Sequence, residues 1–368
     1  MANNPNEKSI RMLRAYRQMA DIDKNMFLTS FFKTSPEDIT NAEFISIDVE
    51  REDEEMAPVL TDISTGAHVV SEDIYTNKTI KPPAMALKMP FNVWDLTNRM
   101  PGQTEYDAAD VSAQAAIRVR VLKSWRKMQN MIKRTIESQA AQLLQTGKMT
   151  LYDKDGNARY VLDYKPKTTH FANAGVKWAT VASADPLADI EAMADVIRDD
   201  GLVNVENIVM GSTAFKNFLK NSTVEKYFAK DGFFLGSLDP MLQNSGAKVQ
   251  GTISIGAYNF VIWTYNGRYI DLSDTTKKPY LAVDKVVLLP NQADLDFRKA
   301  FGAIPVVIDS DERLRDILPS RVSVPGAFDF KPRIFTDENA ETMYSEIKSR
   351  PLLIPVSIDR YGCIDTDF

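Results

Sequence analysis

The chain has 368 residues, of which 44% are hydrophobic and 26% are charged, an ordinary globular composition that allows a sizeable core. Its net charge of −6 argues against tight binding of duplex DNA, because proteins that neutralise many phosphates are usually basic. One cysteine, Cys363, excludes an intramolecular disulfide and a cysteine-based zinc site. No stretch approaches the ~20 apolar residues of a membrane span, and the first residues lack the apolar region of a secretory signal. We therefore expect a cytoplasmic protein.

The first 24 residues are basic. Arg11, Arg14 and Arg17 recur every three residues and would share one side of a helix. Such a side is either a solvated helical face or an arm that lies on a neighbour or on an internal ligand. The phenylalanines at positions 27, 31 and 32 follow outside any long periodic element, which is typical of an anchor rather than of an arm free in water.

Residues 56–95 are extended in character and show no clean core face. Val59, Leu60, Ile74, Tyr75 and Ile80 are dispersed among polar residues, and two consecutive prolines after Lys81 exclude a helix there. The segment is either a long β-hairpin or a loop that needs partners to bury its apolar side chains. We favour a long hairpin that lies on adjacent subunits.

The strongest helical pattern covers residues 108–146, which contain neither proline nor glycine. Asp107 or Asp110 can cap its start, and Gly147 ends it. At 1.5 Å per residue the helix would be about 58 Å long, several times the usual length. One apolar stripe runs along it at steps of three and four residues. The stripe contains Val111, Ala115, Leu122, Trp125, Met128, Ile132, Ile136, Ala140 and Leu143.

A hairpin follows at 147–164, because two apolar segments flank an Asp-Gly turn. Residues 185–300 then read as a separate α/β domain, with a helix opened by Asp185-Pro186 and ended by Gly201. Residues 301–368 return to extended, proline-rich segments.

The sequence contains neither a phosphate-binding glycine loop nor a hydrolase or metalloprotease motif. We expect no catalytic residue, no metal and no cofactor, and we expect His68, His170 and Cys363 to be surface or packing residues.

Several short motifs, in this order and spacing, resemble the major capsid proteins of tailed bacteriophages, and more narrowly the lambda-like major head protein family. The likeness covers most of residues 25–360. The motifs are residues 27–32 (FLTSFF), 79–84 (TIKPPA), 140–148 (AAQLLQTGK), 185–190 (DPLADI) and 350–354 (RPLLI).

The resemblance implies an α+β fold with an N-terminal arm, an extended loop, a peripheral domain built on a long spine helix, and an axial domain. Applied to this sequence, the parts are the arm 1–55, the extended loop 56–99, the peripheral domain 100–182 with 301–368, and the axial domain 183–300. The spine helix would be the helix 108–146. Its expected core residues are Leu122, Trp125, Ile132 and Ile136.

By the same resemblance, the chain would assemble with itself, as hexamers and pentamers, into an icosahedral shell around phage double-stranded DNA. It would be made and assembled in the host bacterial cytoplasm and end in the virion capsid. Scaffolding, portal and decoration proteins would be partners, the DNA would be held weakly and without sequence specificity, and no membrane would be involved.

We expect neighbouring subunits to cover six apolar side chains. They are Phe27, Phe31, Phe32, Ile74, Tyr75 and Ile80.

Two alternatives share parts of this architecture. An encapsulin-type nanocompartment has the same fold and differs in its cargo, whereas a phage tail-tube protein would form tubes instead of closed shells. An enzyme, such as a hydrolase with scattered carboxylates, would need an acidic pocket for which the sequence offers no motif.

Overall fold

The computed structural model describes residues 26–49, 76–91, 113–152, 156–231, 234–235, 246–270, 276–309, 321–337 and 342–368. Within these ranges, the α-helices are α1 Ala113–Thr146, α2 Pro186–Gly201, α3 Ser212–Lys220 and α4 Ser222–Asp231. The strands are β1 Ile45–Val49, β2 Thr76–Ile80, β3 Met85–Phe91, β4 Lys148–Tyr152, β5 Ala158–Asp163, β6 Phe171–Asn173, β7 Val205–Met210, β8 Phe234–Leu235, β9 Ala247–Ile255, β10 Tyr258–Tyr265, β11 Arg268–Ile270, β12 Lys277–Pro279, β13 Lys285–Pro290, β14 Phe297–Phe301, β15 Ile304–Asp309, β16 Arg321–Gly326, β17 Lys331–Asp337, β18 Thr342–Ser349, β19 Pro351–Pro355 and β20 Gly362–Asp365.

Helix α1 is the longest element, with 34 residues. It ends where predicted: Gly147 has φ +65° and donates its N–H to the Leu143 carbonyl at 2.8 Å. A Cβ at this position would also lie 2.2 Å from Pro166. Both the backbone conformation and the lack of space therefore require glycine here. The predicted first residues, 108–112, lie outside the described part of the chain.

A seven-stranded mixed sheet has the order β6-β20-β13-β7-β10-β9-β8. Strand β10 is parallel to β7 and β20 is parallel to β6, while the other pairs are antiparallel. Helix α2 packs against this sheet. It begins at Pro186 after Asp185, whose carboxylate accepts the Ala188 N–H at 3.3 Å, and it ends at Gly201, before Leu202 in the left-handed region.

Helix α1 is covered by smaller sheets. The predicted hairpin forms as β4 and β5, and a three-stranded antiparallel sheet has the order β17-β18-β3. Ser124 of α1 and Ser345 of β18 share a buried hydrogen bond of 2.8 Å. Strand β3 lies in the segment predicted as the extended loop, yet it pairs with β18, so residues 85–91 join the layer that packs on α1.

The buried apolar residues form two clusters. The first joins residues 27–32, α1, the β4–β5 hairpin, β14 and β19, and it extends to one side of the large sheet. The second lies between α2, α3 and the other side of that sheet. Strand β20 belongs to the predicted peripheral segment 301–368, but it lies between β6 and β13 inside the large sheet. Strand pairing therefore crosses the expected boundary at residue 300, because the returning chain completes the sheet of the α/β segment.

Candidate assembly site: the anchored N-terminal arm

Residues 27–32 form a short apolar anchor at the start of the described chain. A 3-10 turn over Leu28–Phe31 directs its side chains into the first cluster. The rings of Phe27 and Phe31 meet edge to face at 5.3 Å, and Phe27 also lies 5.0 Å from the ring of Trp263. Phe32 stacks on Phe297 at 5.1 Å. Aromatic contacts from β10 and β14 thus hold both ends of the turn.

The carboxylate of Glu137 fixes the backbone of this turn. Glu137 lies on α1 with 0% of its surface exposed. It accepts the backbone N–H groups of Leu28 and Thr29, each at 2.8 Å, and also the hydroxyl of Thr29. The hydroxyl of Tyr265 donates to the same carboxylate at 2.7 Å. Four donors therefore converge on one buried acid, and two of them are N–H groups that the turn itself leaves without partners.

Burial dominates the electrostatics of this group. Removal from water raises the pKa of Glu137 above its ordinary value of 4.5, while the bonds from Thr29, Tyr265 and Leu28 act in the opposite direction. The pKa of Tyr265 is raised too, first by burial and then by the adjacent carboxylate. The arrangement holds a peptide segment of the same chain in place.

Beyond the turn, the arm lies beside β14 and pairs with it at two isolated bridges. Lys33 donates its N–H to the Phe297 carbonyl at 2.9 Å, and its own carbonyl accepts the Lys299 N–H at 2.7 Å. Parallel bridges join Lys33 to Arg298 and Ile39 to Phe301. The edge of β14 that faces away from β19 is thereby paired within the same chain.

A second anchor holds the segment that follows β2. The guanidinium of Arg350 is buried and donates to the Pro82 carbonyl at 2.8 and 3.1 Å and to the Ala303 carbonyl at 2.7 Å. Ile80 is buried beside it, and Lys81 forms an exposed ion pair with Glu43. The arginine of the RPLLI motif thus fastens the TIKPPA motif to the strand that begins with Pro351.

The predicted contact residues are distributed as follows. Phe27, Phe31, Phe32 and Ile80 are each at most 8% exposed within a single chain. This corrects the expectation that only a neighbouring subunit can cover them, because the chain itself already buries all four. Ile74 and Tyr75 lie outside the described residues.

On α1, three of the predicted core residues, Trp125, Ile132 and Ile136, are buried. Leu122 is half-buried and packs against the first cluster.

Sequence reasoning missed Glu137 and Arg350. A signal for the first was available: Glu137 is the single acidic residue between Ala113 and Thr146, a segment otherwise rich in lysine and arginine. Arg350 stands in a motif that was recognised, but nothing local indicates that its guanidinium is buried.

We searched the described residues for metal-binding groups, membrane-spanning helices and reactive side chains. They contain no group of three or more side chains that could hold a metal ion, and no described helix is long and apolar enough to cross a membrane. Cys363 is buried, which raises the pKa of its thiol to about 12. His170 is buried as well, with one ring nitrogen 2.8 Å from the Tyr361 carbonyl and the other 3.0 Å from Asp200. His68 lies outside the described residues.

Comparison with known proteins extends this description. Residues 11–360 match the family model described as phage major capsid protein E. No curated protein matches the chain. A solved structure of a prophage capsid protein from E. coli CFT073 shares 20% identity, with a TM-score of 0.61 and 99% of each chain covered. A phage-related protein from Bordetella bronchiseptica RB50 shares 10% identity, with a TM-score of 0.51 and coverage of 97% of this chain and 96% of that chain.

The two solved structures share the α+β fold expected from the sequence, and the family match spans nearly the whole chain. The resemblance drawn from short motifs is thereby confirmed. The chain belongs to the family of phage major capsid protein E, and it is a structural protein of the virion head.

Proposed function

We propose that this chain closes an icosahedral head shell around phage double-stranded DNA by assembling into hexamers and pentamers in the host cytoplasm, and that it catalyses no reaction. The observation that carries the proposal is the family match over residues 11–360, which leaves no room for a second large domain within this sequence. The anchored arm supports it, because the aromatic contacts and the Glu137 carboxylate there serve to hold a peptide segment in place.

We propose the same order of parts that the sequence predicts, with two changes. We assign residues 1–55 to the arm and the segment up to β2 to the extended loop. Strand β3 goes with the peripheral domain, which is built on α1, because β3 pairs with β18. Strand β20 goes with the axial domain, because it pairs with β13. The two hydrophobic clusters support a division into two cores.

The driving force for assembly would come from apolar surface between subunits. At about 25 cal/mol per Å², interfaces of a few thousand Å² outweigh the cost of association. Since the arm phenylalanines are covered within the chain, the loop residues Ile74 and Tyr75 remain our candidates for contacts with a neighbour. Scaffolding, portal and decoration proteins are further proposed partners.

Negative-stain electron microscopy of the purified full-length chain tests the proposal. Closed shells are expected; tubes would favour a tail-tube protein, and native shells that enclose a protein cargo without DNA would favour a nanocompartment.

A pair of variants sharpens this experiment. Ile74→Asp with Tyr75→Asp should leave a folded, soluble subunit that forms no shells. Phe31→Asp with Phe32→Asp should instead lower the yield of soluble protein, because it places carboxylates inside the chain's own core. If the loop variant still forms normal shells, the loop residues are not assembly contacts.

A further inference from the structure

One side of α1 carries exposed positive charge, and the helix has no exposed acidic side chain between residues 119 and 146. Its single acidic residue, Glu137, is buried against the arm. Lys123, Lys127 and Arg134 are exposed to solvent, and together they are called the basic ridge below. The ridge stands out because the chain as a whole has a net charge of −6.

Helix geometry places the three side chains on one line. At 3.6 residues per turn they point within about 40° of one another, and 1.5 Å per residue spreads them over about 16 Å of the helix axis. The opposite side of the same turns carries Trp125 and Ile132, both 1% exposed, so packing fixes the direction in which the ridge points.

Inside the subunit, the positive charge of Arg134 lowers the pKa of Tyr280, a smaller effect than the burial that raises it. None of the ion pairs formed between described residues involves Lys123, Lys127 or Arg134. Lysines four residues apart, such as Lys123 and Lys127, also repel each other along a helix. An anionic partner would offset this repulsion, and it would therefore explain why the helix carries a row of like charges.

We propose that the basic ridge binds the phosphate backbone of the packaged DNA, and that this side of α1 therefore faces the interior of the shell. The inference rests on the proposed function. A duplex carries about one negative charge per 1.7 Å of its axis, so a ridge of about 16 Å faces a nearly continuous row of phosphates.

Lysine acts on phosphate as a point charge, and contacts to the backbone carry no sequence information. Three such contacts in each acidic subunit hold DNA loosely at many places. The two exposed apolar side chains on this side, Val119 and Met131, need no partner of their own, since isolated exposure of this kind is common.

The test compares two triple variants of the full-length protein. The first replaces the ridge: Lys123→Gln, Lys127→Gln and Arg134→Gln. The second removes the same charge from exposed lysines of α3 and α4: Lys216→Gln, Lys220→Gln and Lys226→Gln. Binding of the free, unassembled subunits to a short fluorescent DNA duplex is measured by anisotropy over a series of NaCl concentrations, because the interior of a closed shell is not accessible to an added duplex. Shell formation is followed in a separate sample by electron microscopy.

The ridge variant should form shells and bind the duplex more weakly, with a slope of log K against log salt smaller by about 2.7, whereas the control variant should keep the slope of the parent protein. Equal losses of DNA affinity in both variants would mean that only the net charge of the protein matters, which would overturn the proposal. Unchanged DNA binding in the ridge variant would overturn it too. Loss of shells with unchanged DNA binding would show that the ridge holds an acidic protein segment instead. If the parent protein itself forms no shells, the proposed function fails, and this outcome is separate from the DNA readout.

Discussion

Replacing Glu137 by alanine should release the N-terminal arm. Burying Phe27, Leu28, Phe31 and Phe32 stabilises the docked arm by about 6–12 kcal/mol, at about 1.5–3 kcal/mol for each side chain. Ordering residues 27–33 costs about 7–14 kcal/mol, at about 1–2 kcal/mol for each residue. These two contributions nearly cancel, so the hydrogen bonds to Glu137 decide whether the arm is docked.

The expected loss follows from the two backbone bonds to the carboxylate. At about 1.5–3 kcal/mol for each bond to a charged group, Glu137→Ala should weaken docking by about 3–6 kcal/mol. Since 1.4 kcal/mol is a factor of ten, hydrogen exchange at the Leu28 and Thr29 amides should become more than about 100-fold faster. Glu137→Gln keeps one acceptor oxygen, so its exchange rate at these amides should lie between those of the parent protein and Glu137→Ala.

A matched control is available on the same helix. The side chain of Gln142 accepts the Thr150 N–H at 2.8 Å and does not touch the arm, so Gln142→Ala removes a helix-to-backbone bond at another place. Exchange at Leu28 and Thr29 should be unchanged in that variant. Protection of these two amides that survives in Glu137→Ala would refute the reasoning, because it would mean that apolar packing alone docks the arm.

Glu137 also gives the free energy of unfolding a pH dependence with a definite sign. Burial raises the pKa of Glu137, so the folded protein binds this proton more tightly than the unfolded chain does. The contribution of this group to stability is therefore fully present below the ordinary value of 4.5 and is lost as the pH rises through the raised pKa. In urea denaturation, the free energy of unfolding of the parent protein should fall over this window relative to that of Glu137→Gln. A rise of the parent value relative to the variant with pH would contradict the assignment.

Two further substitutions test the packing around α1. Trp125→Ala should lower the free energy of unfolding by about 3–5 kcal/mol, since the ring is 1% exposed in the core, and a neutral result in urea denaturation would mean that the stripe does not face a core. Arg350→Ala leaves the Pro82 and Ala303 carbonyls without their donor and should cost about 2–6 kcal/mol, measured in the same way. Arg350→Lys should recover only part of this loss, because an ammonium group cannot reproduce the planar fork.

Local patterns predicted the elements whose signals are local. The stripe on α1 and its end at Gly147, the β4–β5 hairpin, and the opening of α2 at Pro186 follow from periodicity, turn residues and capping. In each of these, the decisive residues lie within a few positions of one another, so the chain itself carries the information.

Contacts between distant segments could not be predicted from local sequence patterns. Glu137 meets Leu28 across 109 positions, and Arg350 meets Pro82 across 268. The arm phenylalanines were expected to need a neighbour because their segment has no periodicity, whereas their partners, Trp263 and Phe297, come from strands far along the chain. Pairing of β3 with β18 is of the same kind, since strand register is set by tertiary packing.

The position of β20 has a consequence for synthesis. A nascent chain that has emerged only as far as β14 already contains six of the seven strands of the large sheet, yet it lacks the one that joins β6 to β13. Until residues 362–365 are made, the edge of β13 offers unpaired backbone groups beside the buried side chains of Val286 and Leu288. The order of translation thus delays completion of the sheet, and with it the point at which a finished subunit can join others.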